Sequence, residues 1–354
     1  MMGKKRALTE KERQILYLMV SKPYEKDARL AQEIGITPGA FSIIKNRMYG
    51  VHFTRGYLPD LRKIGIDLYT ANIAKATVTE ELSDKTLDII EKLYRKDIYY
   101  TTTASKTIAL GAFYNVYESK LTKNLIDRFY LHRPDVTSRF DYVPFTPNNL
   151  PFYEYMNFTG LIGKRIRFHD IYPDKNIYRE LKPIERNFIS YGCDEHYPGD
   201  EEIAGKLGVS KITTYRIRTK LMYEGIIYPM NFLSIDSLGY DHLGGMMITM
   251  NKPMMKDLMA YYNGDDKLSP ILERQFIVLG DYVDLLLVGA YRDFSDWENT
   301  KEMIERWATE RGHTHFTCSC EIISIKEIVD NNLANFSHVF DDMTEEMREK
   351  LLSE

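Results

Sequence analysis

Asp200 to Ile227 reads DEEIAGKLGVSKITTYRIRTKLMYEGII. Ile203, Ala204 and Leu207 space one apolar face along a short helix, and Gly208 breaks it. Ser210 is placed to cap a second helix whose Ile217 and Leu221 turn back onto the first. Gly225 ends that helix before a wing. The pattern is a helix-turn-helix. Its second helix carries Lys211, Thr213, Thr214, Arg216, Arg218 and Lys220, hydroxyl donors and cations of the kind that meet base edges and phosphates in a major groove. The plainer reading is a solvated helix hairpin, and the pattern alone does not decide between the two.

A second copy favours the helix-turn-helix. Asp27 to Tyr49, DARLAQEIGITPGAFSIIKNRMY, has Ala31, Gly35, Thr37 and Met48 where the later stretch has Ala204, Gly208, Ser210 and Leu221, an offset of 208 − 35 = 173. Leu8, Glu12, Arg13 and Ile15 stand at the same offset from Leu181, Glu185, Arg186 and Phe188. Further on, Leu61-x-x-x-Gly65-Ile66-Asp67 recurs as Ile235-x-x-x-Gly239-Tyr240-Asp241, now at 239 − 65 = 174. A period this long means duplication of a whole two-domain unit rather than a solenoid. The earlier recognition helix is poorer in charge: Lys45 and Arg47 are its cations, Thr37 and Ser42 its hydroxyls, and Pro38-Gly39 fill its first turn.

Each helix-turn-helix is followed by alternating strand and helix patterns. Leu68–Thr77, Asp84–Arg95, Ile98–Thr103, Thr107–Tyr114, Lys120–Phe129 and Phe140–Val143 read as strand, helix, strand, strand, helix, strand. Met246–Met250, Met255–Tyr262, Arg274–Leu279, Asp284–Tyr291, Trp297–Glu310 and Phe316–Ile325 repeat the order, with Gly111 and Gly289 at an offset of 178. The expected fold class is α+β: two winged helix-turn-helix domains (1–66 and 179–238) alternating with two ferredoxin-like βαββαβ domains (67–145 and 239–330). A connector spans 146–178, and 331–354 is expected as a helical tail. The connector's patch Lys164-Arg165-Ile166-Arg167-Phe168-His169 reads as part of an ordered cover over a sheet edge, or else as a contact to DNA backbone. The second faces of the two sheets are expected to pair, with Met246, Ile248 and Leu286 among the buried positions.

The 354 residues suffice for several cores, and a net charge of −4 means that any DNA contact must come from local basic patches. Three cysteines point to a reducing compartment and away from a disulfide framework. With no apolar run of membrane-spanning length, a cytoplasmic protein without membrane contact is expected.

A helix-turn-helix, a wing, a Gly-Tyr-Asp join and a βαββαβ unit together resemble the Lrp/AsnC (feast/famine) transcription regulators, in a tandem-duplicated form of archaeal type. The resemblance implies binding of double-stranded DNA, homo-oligomers and modulation by an amino-acid-like metabolite. Leu279-Gly280-Asp281-Tyr282-Val283-Asp284 resembles the family's glycine-aspartate turn, which makes Gly280, Asp281 and Asp284 the candidate effector site; the first copy has Thr103-Ala104-Ser105-Lys106 there. The arrangement is also similar to that of siroheme decarboxylases, which would require His and Arg around a tetrapyrrole. His132 with Arg133, or His169 with Arg167, are the pairs available.

His313-x-His315-x-x-Cys318-x-Cys320 is the one metal-like cluster. Its C-x-C spacing is tighter than the zinc pattern, so buried thiols and no bound metal are expected. No nucleophile elbow, Walker loop, GxGxxG or HExxH occurs. On that ground neither a cofactor nor enzyme activity is expected.

Overall fold

The computed structural model describes residues 7–66, 68–76, 97–103, 105–113, 117–120, 122–124, 138–146, 150, 152–173, 175, 179–194, 196–251, 253–262, 268–313, 316–337 and 339–340. The first half runs through α1 (Glu10–Ser21), α2 (Asp27–Glu33), α3 (Pro38–Met48), β1 (Phe53–Pro59), β2 (Leu68–Ala76), β3 (Asp97–Thr102), β4 (Lys106–Phe113) and β5 (Ser138–Phe145). The join carries β6 (Phe152–Tyr155), α4 (Thr159–Ile162) and α5 (Phe168–Ile171). The second half has α6 (Pro183–Gly192), α7 (Asp200–Leu207), α8 (Lys211–Tyr223), β7 (Ile227–Leu233), β8 (His242–Met250), α9 (Met255–Tyr262), α10 (Ser269–Leu272), β9 (Gln275–Gly280), β10 (Asp284–Tyr291), α11 (Phe294–Glu310), β11 (Phe316–Ser324) and β12 (Asp330–Asn332).

Local chemistry sets the helix ends. Thr9 and Glu12 form a reciprocal capping box at the start of α1, satisfying two donors that a helix start leaves open. The Ser210 hydroxyl accepts the Thr213 amide at 3.2 Å to begin α8, and Gly208 ends α7 at φ 65°, a left-handed conformation glycine adopts without penalty.

The wing expected within the first helix-turn-helix domain, 1–66, is corrected. Among the described residues β1 has no return strand in its own unit; it pairs antiparallel with β7, Phe53 opposite Leu233 and Pro59 opposite Ile227. Each strand thereby covers an edge the other would leave open. Gly56 faces Met230, and 230 − 56 = 174 is the repeat offset, so a pseudo-two-fold axis passes through that pair. Glycine is required there: a Cβ would stand 1.7 Å from the Asp194 carbonyl oxygen.

Beyond the ribbon lie two five-stranded antiparallel sheets, in the orders β12-β3-β4-β2-β5 and β11-β8-β10-β9-β6. The second follows the order strand, helix, strand, strand, helix, strand. In the first copy, Asp84–Arg95 and most of Lys120–Phe129 lie outside the described residues. Each sheet takes its outermost strand from the other half. Phe152 of β6 lies opposite Gly280, and Asp330 of β12 lies opposite Thr102. The differences 330 − 152 and 280 − 102 are both 178, the offset of this part of the repeat, so the halves exchange equivalent arms. The helical tail expected from 331 is corrected at its start, where Asp330-Asn331-Asn332 is strand. Such residues have little strand propensity, and the ladder to β3 holds them. Residues 341–354 lie outside the described ones.

The two sheets face each other within the chain. Tyr99 meets Phe276 edge-on at 6.0 Å, and Ile108 fills the space beside Gly245, where a Cβ would come within 2.7 Å of its Cγ2. Leu286 joins this inter-sheet core with Met247 and Leu243. Met246 and Ile248 are a correction: they are buried, but in the helix-covered core with Trp297, Ile304 and Trp307. Strand alternation sends residues one apart to opposite faces, and Met247 takes the inter-sheet side.

Candidate nucleic-acid interface

α8 packs Leu221 and Thr214 inward and presents its other side to solvent. Thr214 is fully buried and bonds back to the Ser210 carbonyl, so it faces the core rather than a groove. Thr213, half-buried, sits 2.9 Å from the Ser210 hydroxyl in the cap.

The cations divide into two sets. Arg218 donates twice to Asp200, at 3.0 and 2.9 Å, and once to the Tyr57 hydroxyl of the other copy at 2.6 Å, while lying over the Tyr57, Tyr197 and Tyr215 rings. It braces one half against the other, so its guanidinium is engaged within the protein. Lys220 lies 2.9 Å from Glu185, whose carboxylate also takes Arg179 at 2.6 Å. Burial alone would raise the Glu185 pKa, but hydrogen bonds from Arg179, Lys220 and the Lys182 amide outweigh it and bring it to about 2.

The same bracing recurs in α3. Lys45 pairs with Asp27, and Arg47 with Glu12 at 2.7 Å. Asp27 and Asp200, Lys45 and Arg218, Glu12 and Glu185, Arg47 and Lys220 all stand at the repeat offset, 200 − 27 = 173. The acids on the first and second helices therefore hold the third helix in both copies, through Lys45 and Arg47 in the first and Arg218 and Lys220 in the second. Thr37 is the cap of α3, and Ser42 is half-buried.

Outward on α8 are Lys211, Ile212, Tyr215, Arg216, Thr219 and Tyr223, together with Lys220, whose ammonium is held by Glu185. Lys211 touches Glu201 at 3.1 Å, a pair so exposed that it contributes little. Arg216 is in no ion pair among the described residues; its counterpart in the first copy, at the same offset, is Ile43, which is 70% exposed. Sequence reasoning passed over Arg55. It is exposed on β1 and lines a cleft of about 330 Å³ with Asn46, Tyr49 and Tyr197. A lone cation on a strand gives no periodic signal.

The glycine-aspartate turn is occupied by its own backbone. Asp281 accepts the Val283 and Asp284 amides at 3.1 and 3.0 Å. In the first copy Thr103 accepts the Ser105 and Lys106 amides at 3.2 and 3.0 Å. The asymmetry seen in sequence is thus one turn built with two residue types. Gly280 packs against Leu258, Leu285 and Phe152, and Asp284 bonds Thr249 at 2.5 Å. Neither of two sizeable cavities touches these residues. The larger, about 400 Å³, lies where the ribbon meets the second sheet and the C-terminal arm, with Phe53, Thr54, Phe232, Asp236, Leu243 and Ile328 in its wall.

The connector patch is split: Arg165 and Phe168 point inward, while Lys164 and His169 are exposed. Arg165 is buried in an ion pair with Glu154 and donates to the Leu272 carbonyl at 2.5 Å and the Tyr261 hydroxyl at 3.2 Å. Arg167 and His169 both lie by Asp170, at 2.8 and 3.2 Å, on α5. Neither is in the wall of either cavity, while His132, Arg133 and His315 are outside the described residues. His313 is buried beside Trp307 at 6.1 Å, and no group of three or more His, Cys, Asp or Glu is gathered for a metal among the described residues.

No protein-family model matches this sequence. No curated protein matches it either. Among solved structures, the siroheme decarboxylase NirDL is 17% identical, covering 97% of this chain and 99% of its own, with a TM-score of 0.47. A second structure of that enzyme holds an iron-uroporphyrin III analogue. AsnC from E. coli is 15% identical over 39% of this chain and 93% of its own, with a TM-score of 0.27. An AsnC-family transcriptional regulatory protein from Pyrococcus furiosus is 13% identical over 39% of this chain and 88% of its own, with a TM-score of 0.28. These matches correct the expectation of a chain without enzyme activity: those that run from end to end are structures of an enzyme. Among the described residues no helix is long and apolar enough to cross a membrane.

Proposed function

We propose that the chain binds duplex DNA in the manner of the Lrp/AsnC regulators, with α8 as the reading helix. The observation that carries this reading is Arg216: an exposed guanidinium on a helix whose neighbouring cations Arg218 and Lys220 are held by carboxylates. Such a group is a ready partner for a guanine edge or a phosphate, with Lys211 and Thr213 near the same helix start. Arg55, on the ribbon, adds a phosphate contact from the first copy. The ribbon sets the two helix-turn-helix units about a pseudo-two-fold axis, as a two-half-site operator requires. Because Ile43 stands where Arg216 does, the two half-sites are read unequally. In this reading a modulating metabolite occupies the cavity between ribbon and second sheet, where it touches both the reading and the sheet-bearing parts.

The test is selection of bound fragments from genomic DNA, followed by retardation of the enriched duplex. The reading expects an enriched motif with one strong and one weak half, and loss of retardation in Arg216→Ala at an unchanged melting temperature. No enrichment above random sequence, or full retardation by that variant, would refute it.

A further inference from the structure

β11 is the outer strand of the second sheet, and Cys318 and Cys320 are two residues apart on it, so their side chains leave the same face. With Phe316 and Ile322 they pack at the margin of the helix-covered core. Both thiols are partly exposed and are hydrogen-bonded to each other, and Lys301 of α11 lies near enough to act on both. The fold does not need sulfur here. Cys318 and Cys320 lie opposite Ile248 and Met246, as Phe140 and Tyr142 lie opposite Ala74 and Asn72 in the first sheet, and each matched pair of positions on the central strands is 174 apart. The first copy therefore has aromatic residues at these register positions.

A tetrahedral zinc site is not built, since no third His, Cys, Asp or Glu joins the pair among the described residues. Two adjacent sulfurs on an accessible edge suit an ion that accepts two thiolates and asks for no more, and soft ligands select soft ions. We propose that Cys318 and Cys320 chelate a thiophilic metal ion of the Cu(I) class through their two sulfurs. Each thiol releases its proton as its sulfur bonds the metal, with no change of oxidation state.

The experiment is anaerobic titration of the full-length protein with Cu(I) against a chromophoric Cu(I) chelator, paired with alkylation and mass spectrometry. One equivalent per chain is expected, retained in Cys193→Ser and lost in both Cys318→Ser and Cys320→Ser. In the unmutated protein Cu(I) should protect Cys318 and Cys320 from alkylation, a readout that does not depend on any variant folding. Absence of protection overturns the proposal, as does a full equivalent in either single variant or displacement of Cu(I) by equimolar Zn(II).

Discussion

The two halves share a frame and differ in what they hang on it. Two braces of the third helix recur at matching positions, Asp27–Lys45 and Glu12–Arg47 in one half, Asp200–Arg218 and Glu185–Lys220 in the other. The turn before the third sheet strand is held by Thr103 in one and Asp281 in the other, each accepting two amides. Where the frame makes no demand the halves part: Ile43 against Arg216, Asp97 against Gln275, Phe140 and Tyr142 against Cys318 and Cys320. Charge that recurs in both copies braces the third helix here, and the proposed DNA contact falls on Arg216, which the first copy lacks.

The largest effect that would sharpen this comparison is in the exchanged arms. Glu154 on β6 is fully buried and holds Arg165, the Asn157 amide and the Phe168 N–H. Glu154→Ala strands a buried guanidinium and should cost about 3–5 kcal/mol in urea unfolding. Its counterpart at the offset of 332 − 154 = 178, Asn332, is part-exposed, and Asn332→Ala should change stability by under about 0.5 kcal/mol. Equal losses in the two variants would mean that both arms are anchored alike.

Next come the braces. Glu185→Ala should cost about 3 kcal/mol at pH 7, because Arg179 and Lys220 lose a shared partner. Its depressed pKa fixes the sign: the stabilisation is present above the unfolded carboxylate range near 4.5 and is lost as pH falls toward about 2. Unfolding free energies of the variant and the unmutated protein should therefore converge on acidification. Arg218→Ala removes charge-assisted bonds to Asp200 and Tyr57 and should cost about 2 kcal/mol. A melting temperature unmoved by that change would return Arg218 to the DNA face.

A smaller effect distinguishes Asp97 from Gln275. Gln275 bonds the Tyr291 hydroxyl at 2.8 Å, but the first copy has Phe113 in the tyrosine's place, and one Asp97 carboxyl oxygen is buried without a partner among the described residues. Burial pushes the Asp97 carboxyl well above the usual range. Its stability contribution is therefore full below the unfolded pKa and declines as pH rises toward the folded one. Asp97→Asn should melt higher than the unmutated protein, by a margin that grows from pH 4 to pH 8; a constant margin would place the ionisation elsewhere.

The duplication, the α8 cap and most strands were legible because they rest on local chemistry: Ser210 before its helix, and the alternation that marked Asp284–Tyr291. The cation braces were not, since Asp200 and Arg218 lie on different helices and meet only when the two pack. Nor were the exchanged arms. Asp330-Asn331-Asn332 carries no strand signal of its own, and its partner β3 lies in the other half of the chain. The candidate site shrank for the same reason: a sequence shows which side chains are cationic but not which carboxylates already hold them.

The most direct test is the salt dependence of binding to the selected duplex, measured by fluorescence anisotropy for the unmutated protein and Arg216→Ala. The account predicts that this variant binds about tenfold or more weakly. If Arg216 contacts a phosphate, the slope of log K against log salt should also become shallower by about 0.9. An Arg216→Ala protein with unchanged affinity and an unchanged slope would contradict the assignment of α8 as the reading helix.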